Sequence, residues 1–121
     1  MLVIVDTSVW VQHIRRGVPD LASLLPTGDV VSHSVVIGEL AVGGLRDRSK
    51  TLAELHGLLA ASECTPTYVF QFLEAHQLFN IGLSWGDVQL LAVAHLDAIP
   101  IWSLDQTLHK QAEALGLAWV P

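Results

Sequence analysis

The sequence has one cysteine, one methionine, one tyrosine and only six lysines and arginines in 121 residues. The lone Cys64 excludes a disulfide framework and any cysteine-built zinc site, and it fits a reducing compartment, so a cytoplasmic protein is expected. Six basic residues against twelve acids leave a formal net charge of −6. A non-specific, charge-driven nucleic-acid binder carries the opposite sign. If this chain acts on a polyanion, a bound cation or a local basic patch must attract it. No uninterrupted apolar run approaches the ~20 residues of a bilayer span, so no membrane segment is expected. The opening Met1-Leu2-Val3-Ile4-Val5-Asp6 lacks a basic start and is cut short by an acid, which argues against a signal peptide. Charged residues amount to 15% and hydrophobic ones to 51%, which excludes a disordered chain.

What is present is apolar: the mean hydropathy is +0.48. The length suits a single domain over residues 1–121, with a real core and some apolar surface left for a partner. Leu2 to Val5 is a continuous apolar run, β-branched from Val3 on, as in a strand buried on both faces of a parallel sheet. Asp6-Thr7-Ser8 opens a helix through Arg16, and a short helix over 20–25 stops at Pro26. A second strand covers 29–32. Ser34 is the expected N-cap of a helix ending at Gly43-Gly44. Helical spacing follows over 50–61 and 67–79, and Ser84 caps a helix to Asp97 whose inner face includes His95. A strand over 99–103, a helix from Asp105 to Gly116 and a closing strand over 117–120 complete the chain. The alternation predicts an α/β fold: three layers, α/β/α, around a mostly parallel sheet of four to five strands. The helices between the second and third strands exceed what one crossover needs, so a protruding helical hairpin is expected there.

In such a sheet, ligands bind beyond the carboxyl ends of the strands. Asp6, Thr7 and Ser8 follow the first strand, and Ser103 and Asp105 follow the strand over 99–103. Asp87 lies early in its helix and Glu39 lies within the helix after the second strand. Taken singly, Asp6 and Asp105 read as helix caps, and Ser84-x-x-Asp87 reads as a capping box. Glu39 sits among Val35, Val36, Ile37, Leu40, Ala41 and Val42 with no cation at helical spacing, so it needs a partner. Taken together, four carboxylates in one crevice repel one another unless a cation neutralises them, and carboxylates with hydroxyls suit Mg²⁺ or Mn²⁺. Such a site activates water and stabilises charge on a phosphoryl oxygen.

These same residues carry a family resemblance. Val5-Asp6-Thr7-Ser8-Val9-Trp10 resembles the first motif of PIN-domain nucleases, nearest to the VapC-type toxins of bacterial toxin–antitoxin pairs. Val36-Ile37-Gly38-Glu39-Leu40 is similar to the second motif, Ser84-Trp85-Gly86-Asp87-Val88 to the third, and Trp102-Ser103-Leu104-Asp105 to the fourth. The resemblance runs over the whole chain, in order. It implies a PIN fold and a Mg²⁺- or Mn²⁺-dependent endoribonuclease. It further implies Asp6, Glu39, Asp87 and Asp105 as catalytic metal ligands, with Thr7, Ser8 and Ser103 as supporting hydroxyls. A homodimer and a cognate antitoxin that inserts a segment near the site are implied as well. The last motif departs from many relatives: Thr107 and Leu108 stand where those carry a further acid and a Phe, which removes one acid from the set that would hold a second ion.

The scarce cations cluster. Arg46, Arg48 and Lys50 follow the Glu39 helix, and Arg15 ends the first helix with Arg16. They are either solvated charges at helix ends or contacts to RNA phosphates. The six histidines form no zinc-spaced pair, and the four tryptophans are expected mainly in the core. Two other functions fit the sequence less well. A receiver-like phosphoacceptor module wants a second acid after the first strand and a Lys after the last, and both are missing. A catalytically silent RNA-binding PIN domain fits poorly with four intact acids.

Overall fold

Val3, Ile4 and Val5 have no solvent exposure. They form β1 (Val3–Val5), the inner strand of a sheet described, with all of residues 1–121, by a computed structural model. After β1 come α1 (Thr7–Arg16), α2 (Pro19–Leu24) and a 3-10 turn over Leu25–Thr27, then β2 (Val30–Ser32), α3 (Ser34–Val42) and α4 (Arg48–His56). The chain continues through β3 (Leu59–Ala60), α5 (Pro66–Ala75), α6 (Trp85–Asp97), β4 (Ile101–Trp102) and α7 (Gln106–Ala114). The sheet is parallel throughout, in the order β3-β2-β1-β4. Two crossovers carry the chain from β1 through β2 to β3. The next returns it past β1 to β4, so the direction reverses between β1 and β4. A reversal of this kind opens a crevice at the carboxyl ends of the two strands.

The helices split into layers accordingly. α1 packs on α3 and α3 on α4, while α5 packs on α6. Val9 and Leu21 on one side of the sheet, and Leu90, Leu91 and Val93 on the other, have no more than 1% exposure. The expected α/β/α architecture is therefore observed. No helix is long and apolar enough to cross a membrane.

Several sequence expectations are corrected. The region read as one helix over 50–61 ends at His56, and Leu59–Ala60 pair with Val31 and Ser32 as the edge strand β3. The Leu52, Leu55, Leu58 and Leu59 spacing looks helical at both ends. Gly57 closes α4, and the free edge of β2 then takes the next residues. There is no protruding hairpin: β3 separates α4 from α5, which belong to successive crossovers. The helix read over 67–79 starts at Pro66, behind its cap Thr65, and stops at Ala75. Gln77 then adopts φ +53° and Leu78 folds back into the core. His33, not Ser34, caps α3, its Nδ1 accepting from Val35 N at 3.1 Å. The closing strand shrinks to a single parallel bridge, Ile101 with Ala118. His95 is exposed and packs edgewise on His76 and on the ring of Phe72. Trp10 and Trp102 are buried as expected, but Trp85 is 42% exposed and stacks on Phe70.

Candidate active site

Asp6 ends β1 where β4 ends beside it, and Asp6 N donates to Trp102 O at 2.9 Å. Its carboxylate is buried, at 5% exposure. Oδ2 takes every protein hydrogen bond: Ser8 Oγ at 2.6 Å, Ser103 Oγ at 2.8 Å and, more weakly, Ser8 N at 3.4 Å. The two hydroxyls are themselves anchored. Ser8 Oγ accepts from Leu104 N and Ser103 Oγ from Asp105 N, both at 3.0 Å. The β1–α1 and β4–α7 turns are thus laced together through one carboxylate oxygen. Asp6 Oδ1 accepts none of these bonds. It also reaches solvent, because Trp10 Nε1 is the only sealed side-chain polar atom without a partner.

The other three acids repeat this arrangement. Asp105 caps α7 with Oδ1, which accepts from Thr107 N at 2.9 Å and Leu108 N at 3.1 Å. Asp87 Oδ2 accepts from Ser84 N at 3.0 Å while Ser84 Oγ accepts from Asp87 N at 3.1 Å, a complete capping box. Glu39 Oε1 accepts from Thr7 Oγ1 at 2.6 Å. Each carboxylate is held by one oxygen, and the other makes no hydrogen bond within the chain. The capping readings and a functional reading therefore hold together rather than compete.

Asp87 feels its neighbours. Burial is the main cause pushing its carboxyl above the usual range, hydrogen bonds from Ser84 oppose this, and the charges of Asp6 and Asp105 add to it. Three acids from distant parts of the sequence therefore share one electrostatic environment. Glu39 joins them from the α3 side, through Thr7 and across Gly86. A Cβ on Gly86 would stand 3.1 Å from Val35 Cγ1 and 3.4 Å from Glu39 Oε2. Gly86 is a site residue that sequence reasoning missed. The glycine inside the third motif was the available signal, since a glycine in a first helical turn otherwise weakens the helix. Glu39 itself is exposed rather than enclosed by its apolar sequence neighbours: Val36, Ile37 and Leu40 are buried, while Val35 borders Gly86 beside it and Val42 is exposed. As the side chains stand, no three His, Cys, Asp or Glu groups are set to hold one metal ion.

The basic residues divide. Arg15 lines a cavity of about 160 Å³ together with Glu39. Arg48 and Lys50 border a separate surface hollow with Asp47 and Ser49, and Arg46 is exposed on the loop before it.

A protein-family model described as "PIN domain" matches residues 3–114. The chain belongs to the PIN-domain family. This PIN domain is 31% identical over 118 residues to Ribonuclease VapC32 of Mycobacterium tuberculosis, in strains CDC 1551 / Oshkosh and H37Rv, spanning 97% of this chain and 95% of the relative. The resemblance to VapC-type members is thereby borne out. Among solved structures it is similar to PAE2754 from Pyrobaculum aerophilum, at TM-score 0.66 and 14% identity over 95% of this chain and 92% of that one. It is also similar to FitAcB from Neisseria gonorrhoeae, at TM-score 0.64 and 17% identity over 93% and 94%. At these identities the likeness speaks for the PIN fold alone.

Proposed function

We propose that this PIN domain is a Mg²⁺- or Mn²⁺-dependent endoribonuclease, the toxin of a VapBC-type toxin–antitoxin pair acting on cytoplasmic RNA. One observation carries the reading. At the carboxyl ends of β1 and β4 the charges of Asp6 and Asp105 act on Asp87, Glu39 is tied to the neighbouring Thr7, and each of the four carboxylates is held by one oxygen and free at the other. Family membership and the relative named Ribonuclease VapC32 support the reaction class. The donor set fits a hard divalent cation: carboxylate and hydroxyl oxygens, no thiol, and an Asp87 anion disfavoured first by burial and further by the charges of Asp6 and Asp105.

Asp6, Glu39, Asp87 and Asp105 would hold the ion, directly or through water. When bound, such an ion supplies a water of lowered pKa and offsets the charge growing on the phosphodiester oxygens. Ser8 and Ser103 keep Asp6 in a fixed orientation, and Thr7 does the same for Glu39. The Ser84 box aims Asp87 from the first turn of α6. Arg15, in the cavity beside Glu39, contacts an RNA phosphate near the cut. Arg46, Arg48 and Lys50 contact phosphates farther along the strand. The exposed Val42, Phe70 and Trp85, at 90%, 57% and 42% exposure, support a homodimer built on α3, α5 and the start of α6. The antitoxin places a segment near the acids.

The test is cleavage of single-stranded and structured RNAs by purified protein in EDTA and in Mg²⁺ or Mn²⁺, with mapping of the new ends. Metal-dependent internal cuts are expected, and toxicity on expression should be relieved by a small co-expressed partner. Equal cleavage by Asp6→Asn, with contaminating nuclease excluded, would sink the assignment.

A further inference from the structure

A groove of about 480 Å³ opens beside β4, bounded by α7, by Val18 and Asp20 at the start of α2, and by the last residues of the chain. At its inner end is Ser103, whose Oγ donates to Asp6 Oδ2 at 2.8 Å, so the groove and the acid cluster share a wall. The floor is apolar: Trp102, 3% exposed, with Val18 and Val120. The rim is polar. Gln106 and Lys110 stand four residues apart on α7, the spacing that places side chains on one face. Neither side chain makes a hydrogen bond or ion pair within the chain, and of its four ion pairs only His109–Glu113 lies at this groove. His109 completes this side, its Nε2 3.7 Å from Glu113, and Asp20 lines the groove as well.

We infer that this groove is a base-holding subsite for the substrate, taking one unstacked nucleobase next to the cleaved phosphodiester and reading its edge with the Gln106 amide. The inference rests on the endoribonuclease reading. The volume falls within the ~300–1,000 Å³ of small-molecule pockets. An apolar floor beside an imidazole takes the faces of a base, as in single-stranded RNA recognition. Gln106 offers a carbonyl acceptor and two N–H donors, enough to tell one base edge from another. Lys110 offers one ammonium to the adjoining phosphate. Two rim acids, Asp20 and Glu113, repel a run of phosphates, which favours a base carrying a single phosphate over a polyanionic track. Base selection of this kind also gives an acidic protein with few cations a second source of affinity.

The experiment uses the full chain and four short oligoribonucleotides that differ only in the base beside a mapped cut. Relative kcat/KM is measured for the unmodified chain, Gln106→Ala and Lys110→Gln, with a melt of each variant as a check of folding. A preference among the four bases of roughly tenfold is expected for the unmodified chain, collapsing in Gln106→Ala. Lys110→Gln should keep the order of preference, raise KM for all four and lower the salt slope by about one phosphate contact. A preference that Gln106→Ala leaves unchanged overturns the subsite while the endoribonuclease reading stands. No cleavage of any of the four by the unmodified chain overturns that reading and the subsite with it. Variants that weaken only a co-purified partner protein, with all cleavage constants unchanged, assign the groove to that partner and overturn the proposal.

Discussion

Replacing Asp6 in two ways separates its structural role from its chemical one. Asp6→Asn can keep its carbonyl at the Oδ2 position and so accept from Ser8 Oγ, Ser103 Oγ and Ser8 N as before. Its amide then takes the place of Oδ1, which has no partner to lose. What disappears is a buried negative charge beside Asp87 and Asp105. Asp6→Ala removes that charge too, but also the acceptor of the whole network. An orphaned buried donor costs about 1–3 kcal/mol, and the lost helix cap about 1 kcal/mol. Ser8 Oγ and Ser103 Oγ lie 3.4 Å apart, so one of these two hydroxyls can donate to the other and only one donor is left orphaned. The net cost of Ala relative to Asn is then about 2–4 kcal/mol. For a chain of this size, at about 4 °C per kcal/mol, the Ala variant should melt roughly 8–16 °C below the Asn variant. Relief of repulsion is common to both and cancels in the comparison. In EDTA the Asn variant should melt at or above the unmodified protein. Both should lose about a hundredfold or more in cleavage rate, several kcal/mol of barrier. Calorimetric melts in EDTA with single-turnover cleavage decide the matter. An Asn variant that melts as low as the Ala variant refutes the claim that one carboxylate oxygen carries the network.

Further outcomes follow from the same geometry. Mg²⁺ or Mn²⁺ should raise the melting temperature of the unmodified protein, by about 2.7 kcal/mol of stability at a hundredfold excess over the dissociation constant, and of Asn or Gln variants at the four acids by less. Identical melts with and without metal would leave capping as the only role of these residues. Asp87, whose folded-state pKa is raised, favours folding most below the unfolded carboxyl value of about 3.9. That contribution is lost as pH rises through the higher folded value, so Asp87→Asn should gain stability over the unmodified protein in EDTA as pH climbs from 4 toward neutrality, read by melts across that range. A constant difference over that pH range would contradict the shift. Leu91→Ala, at a position with no exposure, should cost about 2–5 kcal/mol in denaturant unfolding. Phe70→Asp should shift the protein to monomer in micromolar sedimentation, and an unchanged dimer would move the interface elsewhere.

Much of this protein is legible in local pattern, because local pattern is set by contacts a few residues apart. The uninterrupted Leu2–Val5 run reads as an interior strand because it is short, mostly β-branched and closed at once by the helix-opening Asp6. The hydroxyls and acids at Asp6, Ser84 and Asp105 had to open helices, because unpaired first-turn amides need acceptors. The order of the four acids was readable for the same reason. Tertiary structure decided what depends on pairing across distance. Leu59 and Ala60 became a strand because the edge of β2 offered them hydrogen bonds, a fact absent from their own neighbourhood. The neighbours of Glu39 along the chain are apolar, yet its partner is the hydroxyl of Thr7, 32 positions away. Arg15 came beside Glu39 while Arg48 and Lys50 did not, although Arg48 and Lys50 are nearer in sequence. Which oxygen of each carboxylate is tied and which is free follows from donors on other segments, Ser103 and Thr7 among them. Charge and hydrogen bonding act through space, so the segments could be read one by one, but the site they build exists only once the sheet has brought their ends together.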